Sequence, residues 1–490
     1  MKRLALVVIL VTVARLWLAG HSELLPEEAY YWMYAKHPAF GYFDHPPMVA
    51  WIIKAGTRLL GDTERGVRLV NTLLWVCSCV TLFRTAKIWF GERVAVWSGW
   101  LFVVLPIFVG VGFIVTPDGP LVYAWMFTLY AITRALRTGR TGFWLIAGIA
   151  FGAALLSKYY ALLLAPSLLL FLLRSSKYRF WLRRWQPWAA LALGLVVFSP
   201  VIHWNAHHDW ASFAYQSTRT VAQKGHALVK MADFWAMQLA VLTPVGLAVF
   251  AVAAVRGIRR GWLAGDDAWS FATSFSLPLF ALFVAASFKT DVHINWTAPA
   301  FLSLSMAVAT AFLEGVEGKR RKLWRAGVWT IAILSISMMI LGHTILATGE
   351  PKLLAYSRAG GWRELATQVE EARRALATQT GLEPFIIGAD KYNIAAEMGF
   401  YLHRPDECVN LLAVGGEGMS YRHWTKLRDF DGRPAIAVLF SQKERTLTQL
   451  RSYFDHVDVP AVAPVGTHGK KWQAVALVNC YGYRSAQASP

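Results

Sequence analysis

Apolar residues run in long stretches separated by short polar turns, from the N-terminus to about residue 346. A run of about twenty apolar residues crosses the roughly 30 Å hydrocarbon core of a bilayer as one α-helix. The stretches 2–20, 67–86, 94–114, 119–135, 143–157, 159–173, 187–205, 233–255, 268–288, 294–313 and 325–347 therefore predict about eleven transmembrane helices. The opening Met-Lys-Arg and its apolar run resemble a signal peptide. No small-residue cleavage site follows and further spans do, which predicts an uncleaved first helix. Between the spans, loops 21–65 and 206–232 are long. The apolar segment Met48 to Leu60 in the first of them is too short to span and predicts a helix lying at the membrane interface.

From about residue 350 the pattern changes. Leu365, Val369, Ala372 and Leu376 recur at helical spacing after Gly361-Trp362. The runs Pro384 to Ile387 and Ala435 to Phe440 read as short strands. Strands alternating with helices predict a small α/β domain over 348–490, following a transmembrane domain over 1–347.

Composition removes the alternative of several soluble domains. Of 490 residues, 56% are hydrophobic and 16% charged, against roughly 25% charged in an average soluble protein. Mean hydropathy is +0.39. The net charge of +19 would suggest nucleic-acid binding in a soluble chain, but the basic residues cluster in turns between apolar runs, where membrane topology places them. The clusters are Lys2 and Arg3; Arg84, Lys87 and Arg93; Arg134, Arg137 and Arg140; Arg174, Lys177, Arg179, Arg183 and Arg184; Arg256, Arg259 and Arg260; and Lys319, Arg320, Arg321, Lys322 and Arg325. All fall on one side if the N-terminus is cytoplasmic, and an odd number of spans then leaves the C-terminal domain outside. Cys77 and Cys79 lie in an apolar run as packing residues, whereas Cys408 and Cys480 in the polar part are candidates to pair in an oxidising compartment.

Ionisable groups at the membrane edge are costly and mark functional positions. Leu25-Pro26-Glu27-Glu28-Ala29-Tyr30-Tyr31-Trp32 sets two carboxylates directly after the first helix. On a helix such neighbours point about 100° apart, so only one faces a reaction centre. Gly41-Tyr42-Phe43-Asp44-His45-Pro46-Pro47-Met48 follows in the same loop, and Asp118 lies in another turn on that side. Activating a hydroxyl needs a carboxylate within hydrogen-bond reach, and a departing phosphate needs cations or a metal ion. The candidate cations on that side are His45, Lys158, with Tyr159 next to it, Lys289 and His293. Plainer readings exist: acids cap helices, aromatics form interfacial belts, and a lysine at the end of a span snorkels. Two acidic clusters in one loop, with Asp118 on the same side, favour chemistry. Asp44 and His45 are also candidate metal ligands, although two ligands do not define a site.

These segments, with Thr116-Pro117-Asp118-Gly119-Pro120-Leu121, resemble the bacterial protein O-mannosyltransferase-like glycosyltransferases of the GT-C superfamily, which include aminoarabinose lipid A transferases and lipopolysaccharide galacturonosyltransferases. The resemblance extends through Leu156-Ser157-Lys158-Tyr159, Ser199 to Asn205, Trp210 to Phe213 and Asn295 to Pro299, and covers most of 1–313. It implies a polytopic GT-C membrane fold in the bacterial inner membrane. The implied reaction moves a sugar from a polyprenyl-phosphate donor to a hydroxyl of lipid A, lipopolysaccharide, another envelope glycan or protein, on the external face. Glu27 takes the place of the first acid of the family's pair, the proposed base and usually Asp, with Glu28 beside it. Asp44 and His45 stand where lipid A transferases carry an acid and a phosphate-binding lysine. Asp118 matches the acid of the second external loop, and Lys158 the lysine thought to hold the carrier phosphate. Some members bind a divalent metal ion. The partners implied are the lipid-linked donor, the acceptor and membrane lipids, with no nucleic acid.

No glycine-rich nucleotide loop precedes a strand–helix unit, which argues against a sugar-nucleotide donor. A transporter or flippase of lipid-linked sugars would also use many spans. However, the acids gather on one side and not at the midplane, and no inverted repeat is visible. A membrane-anchored sensor would not need eleven spans.

Overall fold

The computed structural model describes residues 1–220, 226–318, 321–348, 360–389, 391–410, 419–440, 444–467 and 470–485. Lys319 and Arg320 of the last basic turn lie outside the described residues. The chain divides into two compact units: Met1–Leu16, His45–Ile52 and Leu69–Leu341 form one, and Trp17–Asp44, Ile53–Arg68 and Gly342–Pro490 the other. Most of the long first loop, residues 17–44 and 53–68, falls in the second unit.

The first unit is helical. Among the described residues, Glu64–Phe90, Trp185–Ala206, Asp267–Ala286 and Ala298–Glu317 are long and apolar enough to cross a membrane, and two bent pairs raise four spans to as many as six. Shorter apolar helices are Thr141–Leu155, Tyr159–Arg174 and Trp324–Met338. Two stretches that read as single spans are broken, each at a proline. Glu92–Val104 and Pro106–Phe113 meet at 64°, because Pro106 lacks an N–H and forces extended backbone on Leu105 (φ −65°, ψ 128°). Ala227–Leu242 and Pro244–Leu263 meet at 98°. There Thr243 sits at φ 66°, rare for a β-branched residue, and its hydroxyl accepts from Gly246 N at 3.2 Å to cap the helix that Pro244 begins. Met48–Leu60 forms the expected short helix.

Small residues set the closest helix packing. A Cβ on Gly148 would lie 2.5 Å from the Ala190 carbonyl oxygen, one on Gly152 would lie 2.5 Å from Val197 Cβ, and Gly194 abuts Phe151. Contacts that advance together along both sequences make Thr141–Leu155 and Trp185–Ala206 parallel neighbours in van der Waals contact, as small residues permit in membranes.

The second unit holds a six-stranded sheet: β1 (Phe385–Gly388), β2 (Cys408–Val409), β3 (Ala435–Leu439), β4 (Phe454–Val457), β5 (Ala461–Thr467) and β6 (Lys470–Tyr483). The order is β2-β1-β3-β6-β4, with β5 also on β6. β1 runs parallel to β2 and β3, and β6 antiparallel to β3, β4 and β5. β1 and β3 are buried on both faces and so read as continuous apolar runs. Ile386, Ile436 and Val438 pack with Trp362, Leu365 and Val369 of the helix Trp362–Thr380 on one face. Phe385, Ile387 and Ala437 pack with Leu447 and Leu450 on the other. Glu23 accepts hydrogen bonds from Trp362 N (2.8 Å) and Arg363 N (3.2 Å), capping the first of these helices.

Cys408 and Cys480 do not pair. Both are free and buried. Cys408 is opposite Ile386, Ile386 opposite Ile436, and Ile436 opposite Asn479. Three strand spacings put the two thiols roughly 14 Å apart, far beyond disulfide reach.

Candidate active site

In the helical unit, the turn before Asp118–Thr138 presents Asp118 at a helix N-terminus, where a carboxylate is favoured by the helix dipole. Lys158 follows Thr141–Leu155 on extended backbone, ahead of the 3₁₀ turn Tyr159–Leu163. Both are buried, Asp118 fully and Lys158 with 6% of its surface exposed. Lys158 Nζ donates to both Asp118 oxygens at 2.8 Å. Tyr160 OH donates to Oδ1 at 3.2 Å, Thr116 Oγ1 to Oδ2 at 3.2 Å, and Asn295 Nδ2 also to Oδ2. The ammonium lies 5.5 Å from the Tyr160 ring centroid and 5.9 Å from that of Trp296. A buried charge pair holds only when its remaining bonds are satisfied, and here hydroxyls and an amide satisfy those of the carboxylate.

Tyr159 turns elsewhere: its hydroxyl shares a 2.6 Å hydrogen bond with Ser212 Oγ, and Asn205 Oδ1 accepts from Ser212 N at 3.2 Å. Met48 N donates to Leu156 O at 3.0 Å, which seats the segment after His45 beside the strand of chain that leads to Lys158. Lys289 and His293 are exposed on the turn preceding Asn295. The Lys289 carbonyl accepts from Lys230 Nζ at 3.0 Å, and the His293 ring packs 5.1 Å from Trp296.

The second unit holds the acidic pair. Glu27 and Glu28 stand in the first turn of the helix Pro26–Lys36, Glu27 exposed and Glu28 fully buried. Glu28 accepts from Arg68 Nε at 3.0 and 3.2 Å and from Leu25 N at 3.0 Å. Arg68 also donates to Ser22 O (2.9 Å), Ser22 Oγ (2.9 Å) and Glu23 O (2.8 Å). The guanidinium thereby ties the end of the first helix to the acidic pair and offsets the mutual repulsion of the two carboxylates. Asp44 is buried, its Oδ1 accepting from Tyr30 OH at 3.0 Å, from Tyr34 OH, and from Ser420 Oγ at 3.5 Å. Burial, with Asp44 nearby, pushes both phenols well above their ordinary range, so they remain donors.

Glu27, Glu28 and Asp44 thus belong to one unit, and His45, Asp118, Lys158, Tyr159, Lys289 and His293 to the other. Asp44 and His45 supply only two donors, and Asp44 Oδ1 is engaged by hydroxyls. Among the described residues no group of three or more His, Cys, Asp or Glu is placed to hold a metal ion. This donor set does not fit a resident divalent metal.

The sequence did not single out Asn295, Tyr160 or Arg68 as partners of these acids, since only the fold makes them neighbours. Nor did it single out Glu397, which is fully buried on Tyr392–Tyr401, with neither carboxyl oxygen hydrogen-bonded among the described residues. Burial, then Glu23 and Glu28, pushes its carboxyl well above the usual range. A carboxyl that binds its proton more tightly when folded stabilises fully below the ordinary carboxylate range and loses that contribution as pH rises through the raised folded value. Glu397→Gln should therefore unfold at about the wild-type temperature in acid and at a higher one in alkali. Thermal unfolding in detergent across a pH series checks this, and curves offset equally at every pH would contradict it.

Residues 44–204 match the family model described as dolichyl-phosphate-mannose-protein mannosyltransferase. The chain is 26% identical over 404 residues to lipid A galacturonosyltransferase RgtD of Rhizobium johnstonii, covering 82% of each chain. It is 23% identical over 357 residues to undecaprenyl phosphate-alpha-4-amino-4-deoxy-L-arabinose arabinosyl transferase 1 of Pseudomonas fluorescens, covering 66% of this chain and 60% of that one. Its fold matches the crystal structure of ArnT from Cupriavidus metallidurans bound to undecaprenyl phosphate, with TM-score 0.63, 17% identity, and coverage of 100% of this chain and 99% of that one.

Proposed function

We propose that this chain, a GT-C protein with its mannosyltransferase-family domain over residues 44–204, is a membrane glycosyltransferase. It moves a sugar from a polyprenyl-phosphate donor to a hydroxyl of lipid A or another envelope glycan. The observation that carries this reading is the buried Asp118–Lys158 pair, a fixed cation at the ends of apolar helices. A polyprenyl tail remains in the bilayer while its phosphate reaches such a cation. The names of the two curated relatives, one acting on lipid A and the other using an undecaprenyl-phosphate-linked sugar, fit the same reaction.

In this reading the acceptor hydroxyl attacks the anomeric carbon, a new C–O bond forms, and the bond from that carbon to the phosphate oxygen breaks. The electron pair leaves with polyprenyl phosphate. Glu27, exposed on its helix, takes the hydroxyl proton. Lys158 neutralises charge on the departing phosphate, which shares the ammonium with Asp118 as it arrives. Asp118, held by Asn295, Tyr160 and Thr116, keeps Lys158 charged and aimed. Asp44 and His45 frame the donor phosphate, Tyr159 braces the turn after Lys158 through its hydrogen bond to Ser212, and the exposed Lys289 and His293 meet donor or acceptor anions. Membranes containing the protein, incubated with several polyprenyl-phosphate sugars and followed by mass analysis of lipids and envelope glycans, identify the sugar and the acceptor. No transfer from any of these donors would count against the proposal.

The chemistry is proposed to lie outside the bacterial inner membrane, with about eleven spans, a cytoplasmic N-terminus and an extracytoplasmic 348–490. The one-sided basic clusters support this arrangement. Cysteines introduced at Thr138 and Asp429 in a cysteine-free background, both exposed positions, should differ in intact cells: an impermeant reagent labels only Asp429→Cys. Labelling of Thr138→Cys would reverse the topology.

A further inference from the structure

An open apolar cavity of about 80 Å³ lies in the helical unit among the helices Asp118–Thr138, Thr141–Leu155, Leu164–Arg174 and Trp185–Ala206. Its walls are apolar, and its lining includes Ala147, Gly148 and Ala190, beside the close approach of Gly148 to Ala190. Leu169 and Trp188 at its edge are exposed, so it opens on a helix surface that in this fold meets lipid. Thr128 and Ile132 line it ten and fourteen residues beyond Asp118 on one helix, which separates it by roughly 15–20 Å from the Asp118–Lys158 pair.

The charge around this cavity is of one sign. Leu182 and Pro187 line it, and the exposed Arg183 and Arg184 lie between them in the chain. Arg140, also exposed, precedes the helix Thr141–Leu155, one turn before the lining residue Trp144. The parallel packing of that helix on Trp185–Ala206 pairs Gly148 with Ala190. The same register carries Arg140 to the level of Arg183 and Arg184. Three exposed arginines therefore stand at one end of an apolar cavity, an arrangement that an anionic lipid headgroup and its own acyl chain would satisfy together.

We propose that this open cavity seats a segment of one acyl chain of an anionic phospholipid whose phosphate is bound by Arg140, Arg183 and Arg184. The site is distinct from the donor site and independent of the transferase reading. It would brace the four helices that line it, one of which begins at Asp118 and another of which leads to Lys158.

The test is lipid retention. Wild-type protein purified in mild detergent and returned to nanodiscs should keep phosphatidylglycerol in preference to phosphatidylcholine, read by native mass spectrometry, and should gain thermal stability from the former only. Arg183→Gln/Arg184→Gln should lower apparent phosphatidylglycerol affinity by about tenfold or more. Ala165→Phe, which fills the cavity, should abolish retention with the arginines intact. If the filling variant does not fold, the arginine variant decides the matter, because its changes lie on the surface. Equal retention of the two phospholipids, or unchanged retention after removal of the arginines, would overturn the proposal. So would displacement of polyprenyl phosphate, and not phospholipid, by Ala165→Phe.

Discussion

Glu27→Gln should reduce turnover by about 10²–10⁴, the usual contribution of a positioned general base, while membrane level and thermal stability stay at wild-type values. The amide keeps the size and polarity of the carboxylate but cannot accept the acceptor's proton. Glu27 is exposed at the start of Pro26–Lys36, in contrast to the fully buried Glu28. Glu28 gives the opposite pattern. Its carboxylate is buried against Arg68, and removing one member of a buried pair strands the other at a cost of about 3–5 kcal/mol. Glu28→Gln should therefore lower the amount of folded protein. Glu27→Asp should retain activity. Specific activity per folded molecule separates the two acids: normal turnover in Glu27→Gln at matched membrane level would remove it as the base.

Lys158→Ala should lose donor use by roughly 30- to 150-fold, from about 2–3 kcal/mol for a charged contact to phosphate. That substitution also strands Asp118 in a buried site, so a loss by itself does not separate binding from stability. The double substitution Lys158→Ala/Asp118→Asn removes both charges and should recover thermal stability toward wild type without recovering turnover. If the double variant recovers turnover together with stability, the pair is structural and the phosphate is held elsewhere. The expected loss should fall mainly on the donor's KM where ground-state binding dominates, and on kcat where the cation acts on the departing phosphate.

Long-range partnership limits how much of this was legible in the sequence. The apolar runs foretold a helical membrane protein, and the short amphipathic segment Met48–Leu60 appears as a helix of those bounds. Hydropathy passed through Pro106 and Pro244 without registering the breaks, because a window average is blind to a missing N–H. In the C-terminal part, β1 and β3 were visible as buried apolar runs. β4, with exposed Asp455 and His456, carries a weaker pattern, and β2 is two residues long.

Asp118 and Lys158 were each recognisable as ionisable groups at the ends of spans, and the fold joins them across forty positions. Asn295 joins the same carboxylate from 177 positions away, a separation that periodicity does not encode. The sequence put Glu27 ahead of Glu28 as the base but did not show that Glu28 is held in a buried ion pair, since Arg68 lies forty residues downstream of Glu28.

The central claim is most directly tested by product stoichiometry. Purified protein in a bilayer, supplied with a polyprenyl-phosphate sugar and a lipid A acceptor, should release one polyprenyl phosphate for each sugar transferred, and Glu27→Gln should release and transfer at rates lower by about 10²–10⁴. Sugar transfer without release of polyprenyl phosphate, or transfer supported only by a sugar nucleotide, would contradict the account.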